Sequence, residues 1–204
     1  MSLADCIIKS PQTSRDEFQN KSAAYFNLAE ITELSLGVAL FHGFSKMLIC
    51  LGREPKEMET TIIQTPTAPA VSLSKEFENG NPMHVILSPM PNLRDRWLDL
   101  ENSLWKNCSY PTEKLRVVRY RLSELLSIPQ TYSDYYETVD IDLESDRLAD
   151  QFFYDVRSFT DDQRNKIVRD YGLTGLVDLM VCLALYDGAF RLISMLGYLE
   201  NPFE

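Results

Sequence analysis

The sequence predicts an all-α fold from the spacing of its apolar residues and from an internal duplication. Residues 173–197 read LTGLVDLMVCLALYDGAFRLISMLG, and apolar residues fill almost every turn of a helix built from them. The polar residues Asp187, Arg191 and Ser194 fall at i, i+4 and i+7, so they share one stripe of that helix. Strand-like alternation occurs only in a proline-rich stretch. We therefore expect helices throughout, with the helix at 173–197 buried nearly all round.

The second observation is that this stretch has an earlier copy, LAEITELSLGVALFHGFSKMLICLG at 28–52, at a constant offset of 145 residues. Seven identical residues of the first copy match the second: Leu28, Leu34, Ala39, Leu40, Gly43, Leu51 and Gly52. The register continues upstream, where Asp16, Asn20 and Lys21 match Asp161, Asn165 and Lys166. We interpret this as a duplicated helical hairpin, with a short helix at 16–27 before the longer one.

Three regions are predicted along the chain. Residues 14–54 form a partial first repeat, residues 55–91 a proline-rich linker or arm, and residues 92–200 a helical unit. The apolar pieces of the middle region leave two interpretations open. It lies on a surface such as that of a neighbouring subunit, or it is a loosely ordered loop.

Within the helical unit, polar and proline residues mark the helix ends. Asn92 is expected to cap a helix that reaches residue 107, and Thr112 one that runs to Ser127. A short helix at 131–139, an acidic turn at 140–146 and a helix at 147–159 follow. Thr160 is predicted to cap the second copy of the hairpin, with two aspartates in its first turn.

Charge and composition exclude several classes of function. The net charge of -10 argues against a nucleic-acid partner, because phosphate binding needs a basic surface. The start of the chain lacks a signal-peptide pattern, and His42 and Lys46 interrupt the apolar run at 34–51, which argues against a membrane span. We expect a cytoplasmic protein of globular class.

Cysteine and acidic-residue spacing predict neither a metal site nor a cofactor. The four cysteines are Cys6, Cys50, Cys108 and Cys182, far apart and without a C-x-x-C pair. The acidic alternation at 140–146 resembles a calcium loop, but Ser145 stands where that loop needs glycine. A solvated acidic turn is the better interpretation.

The order of these elements resembles the carboxymuconolactone decarboxylase and alkylhydroperoxidase D-like superfamily over residues 91–198. The most specific part is the C-terminal hairpin, with its acidic start, its Gly172-Leu173 turn, the aromatic-to-arginine spacing from Tyr186 to Arg191, and a final Leu-Gly. The resemblance implies an alkylhydroperoxidase D-like helical bundle, with residues 16–52 as the last hairpin of a partial unit. It also implies a homo-oligomer, since one unit leaves broad apolar helix faces.

The thiol peroxidase branch of that family carries a Glu, a C-x-x-C pair and a His. When Arg121 is aligned with the family's helix arginine, these four positions fall on Arg116, Ile128, Thr131 and Asp134. All four residues differ from the pattern, so the resemblance implies a relative without the peroxidase centre. The decarboxylase branch needs no thiol pair, and it leaves open a lyase or isomerase that acts on a small organic acid.

Such a site needs a cation for a carboxylate and a group that transfers a proton. For catalysis we consider Arg116, Asp134 and Tyr132, and for ligand binding Arg121, Tyr135, Asp187, Arg191 and His42. Structural roles compete with each of these. Asp187 with Arg191, and His42 with Lys46 in the equivalent positions, are favoured as structural pairs, and the tyrosines as core or interface residues.

Two functions therefore remain. One is a small-molecule enzyme of non-thiol type or a ligand binder, and the other is a non-catalytic oligomeric scaffold or interaction protein. A third interpretation, a relocated redox thiol, would require Cys50, Cys108 or Cys182 to meet another sulfur in space.

Overall fold

A computed structural model describes residues 3–9, 11, 22, 24–53, 82–128 and 142–196. All the regular structure in these residues is helical, which confirms the all-α prediction. The helices, in chain order, are α1 (Leu3–Lys9), α2 (Leu28–Cys50), α3 (Pro82–Ile86), α4 (Pro91–Asn107), α5 (Thr112–Leu125), α6 (Leu143–Tyr154) and α7 (Asp161–Leu196), with a 3-10 turn at Val156–Ser158.

The two copies of the duplicated sequence pack directly on each other, because α2 crosses the second half of α7. A Cβ built on Gly43 would collide with the carbonyl oxygen of Ala184, and one on Gly188 would lie 3.0 Å from the carbonyl oxygen of Ala39. Gly43 and Gly188 are equivalent in the repeat, as are Ala39 and Ala184. The contact is therefore reciprocal, as in a two-fold interface, and both glycines are needed for the close approach.

The N-terminal ends of α2 and α7 are both capped by a side chain. Asn27 caps α2 in a capping box, since its side chain accepts from the Glu30 amide and the Glu30 carboxylate accepts from the Asn27 amide. Thr160 accepts from the Gln163 amide at 3.2 Å, so the predicted cap of α7 is correct.

The predicted turn at Gly172 divides α7 into two segments. Gly172 has φ 75° and ψ 173°, which is not helical, and Leu173 starts the segment that corresponds to α2. From Leu176 onward that segment is buried on nearly every side, as its sequence predicts. Gly197 and the predicted short helix at 16–27, apart from residues 22 and 24–27, lie outside the described residues.

Several predicted helix boundaries are wrong, among them the end of α6, which lies at Tyr154 rather than at residue 159. The residue that caps α4 is Met90, because Pro91 takes the first helical position, where a missing N–H has no cost, and Asn92 lies inside the helix. Helix α5 ends at Leu125 rather than Ser127, which has φ 52°. Helix α6 starts at Leu143, four residues early, because Asp142 caps it by accepting from the Glu144 amide.

The predicted linker contains a packed helix at its end. Met83 and Ile86 on α3, together with Leu87, are almost completely buried in the same core as α2 and α7. Residues 54–81 lie outside the described part of the chain.

Among the residues that the structure describes, two helices, α2 and α7, are long and apolar enough to cross a membrane by length and composition alone. This is weak evidence, because a core helix passes the same test, and 89% of the apolar window of α7 is buried inside the protein. The cytoplasmic location stays a prediction.

Candidate functional site

The crossing of α2 and α7 holds a buried ionic cluster, which we call the crossing cluster: His42, Lys46, Asp187 and Arg191. Asp187 is completely buried and accepts from Lys46 Nζ at 3.2 Å and from Arg191 Nε at 3.1 Å. His42 Nε2 lies 3.7 Å from Asp187 Oδ2, too far for a hydrogen bond. Three of the residues predicted for ligand binding therefore meet, together with Lys46.

Two cationic side chains share this one carboxylate, and aromatic rings and backbone carbonyls surround them. Lys46 Nζ lies 4.7 Å from the centre of the Phe152 ring, and the Arg191 guanidinium lies 5.2 Å from that of Phe153. Arg191 also donates to the carbonyl of Ile8 at 2.7 Å, at the C-terminal end of α1. These contacts give Asp187 and Arg191 hydrogen-bond partners inside the protein, as buried polar groups need.

His42 is the member of the crossing cluster that reaches solvent, with 20% of its side chain exposed. Burial lowers the pKa of His42 to about 4; Asp187 opposes this shift, and the positive charges of Lys46 and Arg191 add to it. The imidazole is therefore neutral near pH 7. Burial also lowers the pKa of Lys46, against the effect of Asp187.

An open groove of about 790 Å³ lies along the outer face of α2, with His42 in its lining. We call it the α2 groove. Most of its lining is apolar, and its residues follow one stripe of α2 with additions from the preceding chain: Ile8, Phe26, Leu34, Gly37, Val38 and Phe41. A Cβ on Gly37 would meet nothing within 4 Å, so the groove floor is open at that point.

The polar residues of the α2 groove are separated along the helix. Glu30 and Glu33 lie in its N-terminal half, and His42 and Ser45 lie in its C-terminal half. The two carboxylates put negative charge beside an apolar surface and its two phenylalanines. That combination favours an uncharged or cationic apolar molecule over an anion.

Sequence reasoning found His42 but missed the rest of this lining. The sequence did contain an indication of this groove, because α2 carries apolar residues on the side that faces away from α7 as well as on the side that packs against it. Phe41 is 78% exposed, although its position in the repeat corresponds to Tyr186, which is 1% exposed.

A second polar network covers the other side of α7. Trp105 donates from Nε1 to the Tyr186 hydroxyl at 2.8 Å, and that hydroxyl donates to Glu101 at 2.7 Å. The Arg119 guanidinium stacks 4.6 Å from the Trp105 ring centre. This network joins α4 and α5 to α7, and its contacts give it a structural role.

The remaining site predictions fall elsewhere. Arg116 is exposed on α5. Arg121 lies in ion pairs with Asp150 at 2.8 Å and Glu124 at 3.1 Å, which join α5 to α6. Neither arginine lines the α2 groove. Tyr132, Asp134 and Tyr135 lie outside the described residues, so the structure does not place their predicted site.

The four cysteines are all free thiols. Burial raises the pKa of Cys50 to about 11 and that of Cys182 to about 12. Their sulfurs contact backbone carbonyls, Cys50 that of Val156 and Cys182 that of Leu115. These are properties of core cysteines rather than of nucleophiles.

The acidic turn is a helix cap in its described part. Asp142 accepts from the Ser145 hydroxyl at 2.7 Å and pairs with Lys114 at 3.2 Å. Within the described ranges no group of three or more His, Cys, Asp or Glu residues has the arrangement of a metal site.

Comparison of the chain with protein-family models, curated proteins and solved structures gave no match.

Proposed function

We propose that this chain is a carboxymuconolactone decarboxylase-like and alkylhydroperoxidase D-like protein that lacks the thiol peroxidase centre and binds a small apolar molecule in the α2 groove. The observation that carries the ligand-binding part is the neutral His42 in the lining of an apolar groove, backed by the crossing cluster. The resemblance of residues 91–198 and the all-α fold support the family.

The ligand class follows from the lining. A volume of about 790 Å³ lies within the usual range for small-molecule sites, and the lining is mostly apolar with few polar groups, as such sites are. Glu30 and Glu33 disfavour a carboxylate. We therefore propose an uncharged or cationic apolar ligand, and binding rather than lyase or isomerase chemistry on an organic acid.

His42 orients the ligand in the groove through hydrogen bonds of its imidazole ring. A neutral imidazole has one donor and one acceptor nitrogen, so it can pair with a hydroxyl, amine or carbonyl group of the ligand. Burial keeps it neutral, and the positive charges of Lys46 and Arg191 add to this effect against the opposing effect of Asp187. Ser45 supplies a hydroxyl group in the same half of the groove.

Binding of N-phenyl-1-naphthylamine, an uncharged fluorescent apolar probe, tests this proposal. We expect saturable binding to the wild-type protein and about tenfold weaker binding to Phe41→Ala, because loss of an aromatic contact costs about 1–1.5 kcal/mol. Tyr154→Ala is the matched control, since Tyr154 is also an exposed aromatic residue, 73% exposed, but lies outside the groove. Gly37→Leu should abolish probe binding, because its side chain would occupy the open floor of the α2 groove.

Displacement of the probe by small apolar molecules of different charge measures which ligand charge the α2 groove prefers. Octylamine and octanol should displace the probe at concentrations at least about tenfold lower than octanoate, because the two glutamates repel the anion. Equal loss of binding in Phe41→Ala and Tyr154→Ala, or stronger displacement by octanoate, would contradict the proposal.

The scaffold function is a second candidate, and a specific observation favours it. Arg121, which was predicted to bind a ligand, forms surface ion pairs, and α2 presents exposed apolar residues such as Phe41 and Leu34. Absence of probe binding in a protein that self-associates would support this alternative.

A further inference from the structure

The α2 groove has a negatively charged end. Glu30 and Glu33 line its N-terminal half, and both side chains are exposed. Glu30 accepts from the Asn27 amide with Oε2, which leaves Oε1 open to a ligand. Among the described residues, the lining includes no lysine or arginine. A helix N-terminus carries only about half a positive charge, so two carboxylates leave this end of the groove negative.

The other end of the groove carries polar groups without negative charge. His42 and Ser45 line it, and each offers a hydrogen-bond donor and an acceptor. In the crossing cluster beside them, Asp187 shares its single carboxylate between Lys46 and Arg191. A ligand cation is therefore disfavoured at this end and attracted to the glutamates, whereas an uncharged hydroxyl group finds hydrogen-bond partners here.

An apolar path joins the two ends. Successive residues of a helix are about 100° apart, so five of the lining residues fall within one stripe about 80° wide. Gly37 leaves the floor of this stripe open, and the exposed ring of Phe41 lies beside the opening. The members of the stripe, in chain order, are Glu30, Leu34, Gly37, Phe41 and Ser45.

The length of this path limits the length of a ligand that contacts both ends. A helix rises about 1.5 Å per residue, so Glu33 and His42 are about 13 Å apart along the axis of α2, and Glu30 and Ser45 about 22 Å. An extended chain advances about 1.2 Å per bond, so the nitrogen and oxygen of ω-aminodecanol are about 13 Å apart. Those of ω-aminohexanol are only about 8 Å apart, which is too short to contact both ends.

We propose that the α2 groove binds a long-chain amino alcohol, with its ammonium group at the two glutamates and its hydroxyl group at His42 or Ser45. This inference rests on the proposed function, because it assigns a ligand class to the same site. The alkyl chain lies over Gly37 and against the Phe41 ring. The two polar ends of the groove thereby fix the direction and the length of the ligand.

Two pairs of ligands test this arrangement by isothermal titration calorimetry. A terminal hydroxyl group ordinarily weakens binding to an apolar site, because it loses hydrogen bonds to water. We therefore expect ω-aminohexanol to bind about tenfold more weakly than hexylamine. ω-Aminodecanol should instead bind at least as tightly as decylamine, because its hydroxyl group reaches His42 or Ser45 and regains those hydrogen bonds.

The double variant His42→Leu/Ser45→Ala tests the hydroxyl end. Without the two polar side chains, ω-aminodecanol should bind about tenfold more weakly than decylamine, as the short pair does in the wild-type protein. Decylamine itself should keep an affinity close to that for the wild-type protein, which shows that the variant is folded.

The double variant Glu30→Gln/Glu33→Gln tests the ammonium end. Glutamine preserves the capping box, because its side-chain oxygen can accept from the Asn27 amide. Decylamine should bind about fivefold more weakly to this variant, while decanol binding should be unchanged. Glu113→Gln/Asp162→Asn is the matched control, since it removes the same charge from exposed first-turn positions of α5 and α7 outside the groove. It should bind decylamine as the wild-type protein does.

The inference and the proposed function fail separately. Binding of the fluorescent probe, together with the same ratio of amino-alcohol to amine affinity at both chain lengths, overturns the inference and upholds the proposed function. Equal decylamine binding by Glu30→Gln/Glu33→Gln and its control, with the probe bound, has the same meaning. A wild-type protein that binds neither the probe nor any of the four amines overturns both. The expected preference for the hydroxyl group in the long ligand alone supports both.

Discussion

The ionic residues at the helix crossing derive their properties from burial. Asp187 lies beside Lys46 and Arg191, so removing the carboxylate would leave two buried cationic side chains without their anion. Unpaired buried charge costs about 3–5 kcal/mol, whereas the pair itself is close to neutral in free energy. The cluster therefore fixes how α2 sits on α7 more than it adds to stability.

The lowered pKa of His42 predicts a pH-dependent free energy of unfolding. Above pH 6.5 the imidazole is neutral in both the folded and the unfolded chain, so it contributes nothing. As pH falls from 6.5 toward the folded pKa of about 4, the unfolded chain takes up a proton that the folded chain does not. Stability is therefore lost over this window, by at most about 3 kcal/mol for the full shift.

Urea unfolding of the wild-type protein and His42→Gln at pH 7.5 and pH 5 measures this contribution. The wild-type protein should lose more stability between the two pH values than the variant, since both share the other titrating groups. An equal loss in the two proteins would show that the pKa of His42 is not lowered in the fold.

Glycines at the crossing give a second prediction at the scale of single residues. Gly43→Ala should lower the free energy of unfolding by about 2–3 kcal/mol, because its methyl group collides with a backbone carbonyl that cannot rotate away. Gly188→Ala, with its nearest contact at 3.0 Å, should cost about 1 kcal/mol after the gain in helix propensity. Denaturant midpoints provide the measurement, and a smaller loss in Gly43→Ala than in Gly188→Ala would contradict the crossing geometry.

At the scale of elements, the two copies of one sequence pattern occupy different surroundings. Helix α2 packs on α7 along one side and carries a groove along the other, while α7 packs against α1, α2, α3 and α5 and its Tyr186 hydroxyl accepts from Trp105 of α4. The two helices share the glycines at their crossing, and they differ in what covers their other sides.

The kink in α7 depends on one glycine. Gly172 has φ 75° and ψ 173°, a region that residues with a Cβ almost never enter, and a Cβ there would meet no neighbour. Gly172→Ala should therefore destabilise through the backbone alone, by about 1–3 kcal/mol. Gly172→Asn should not restore stability, because ψ lies outside the left-handed helical region that asparagine tolerates. Thermal unfolding of both variants is the measurement, and wild-type stability in either would contradict this account.

Sequence patterns predicted the long elements well and the short ones poorly. The resemblance predicted the turn at Gly172, and the polar residues before the second hairpin predicted the cap at Thr160. Helix α3 was missed because five residues hold too little periodicity to separate a packed helix from a linker. The cap at Asn92 was wrong because Pro91 competes for the same helix end.

At the scale of the whole molecule, the candidate site arises from the packing of distant segments. The repeat placed His42 and Asp187 in equivalent positions, but their meeting depends on the reciprocal crossing, which sequence does not specify. Ile8 and Phe26 join the groove from the chain before α2. Periodicity on α2 alone could not assign those residues to a common site.

The burial of the thiols predicts the outcome of a peroxidase assay. With pKa values of about 11 for Cys50 and about 12 for Cys182, little thiolate forms near pH 7. Peroxide consumption with dithiothreitol should therefore not exceed the rate in buffer, for the wild-type protein and for Cys108→Ser and Cys182→Ser alike. A wild-type rate that vanishes in either variant would place a thiol in catalysis and contradict the proposed function.

The contact between Arg191 and the end of α1 has a consequence for synthesis on the ribosome. Arg191 donates to Ile8 across 183 residues, and Asp187 accepts from Lys46 across 141. At about 5–20 residues per second, α1 waits roughly 10–40 s and α2 roughly 7–30 s before their partner on α7 has been translated. During that interval both apolar faces of α2 are open to water and to other nascent chains. The first repeat thus spends most of the time of synthesis without the helix that buries its inner face.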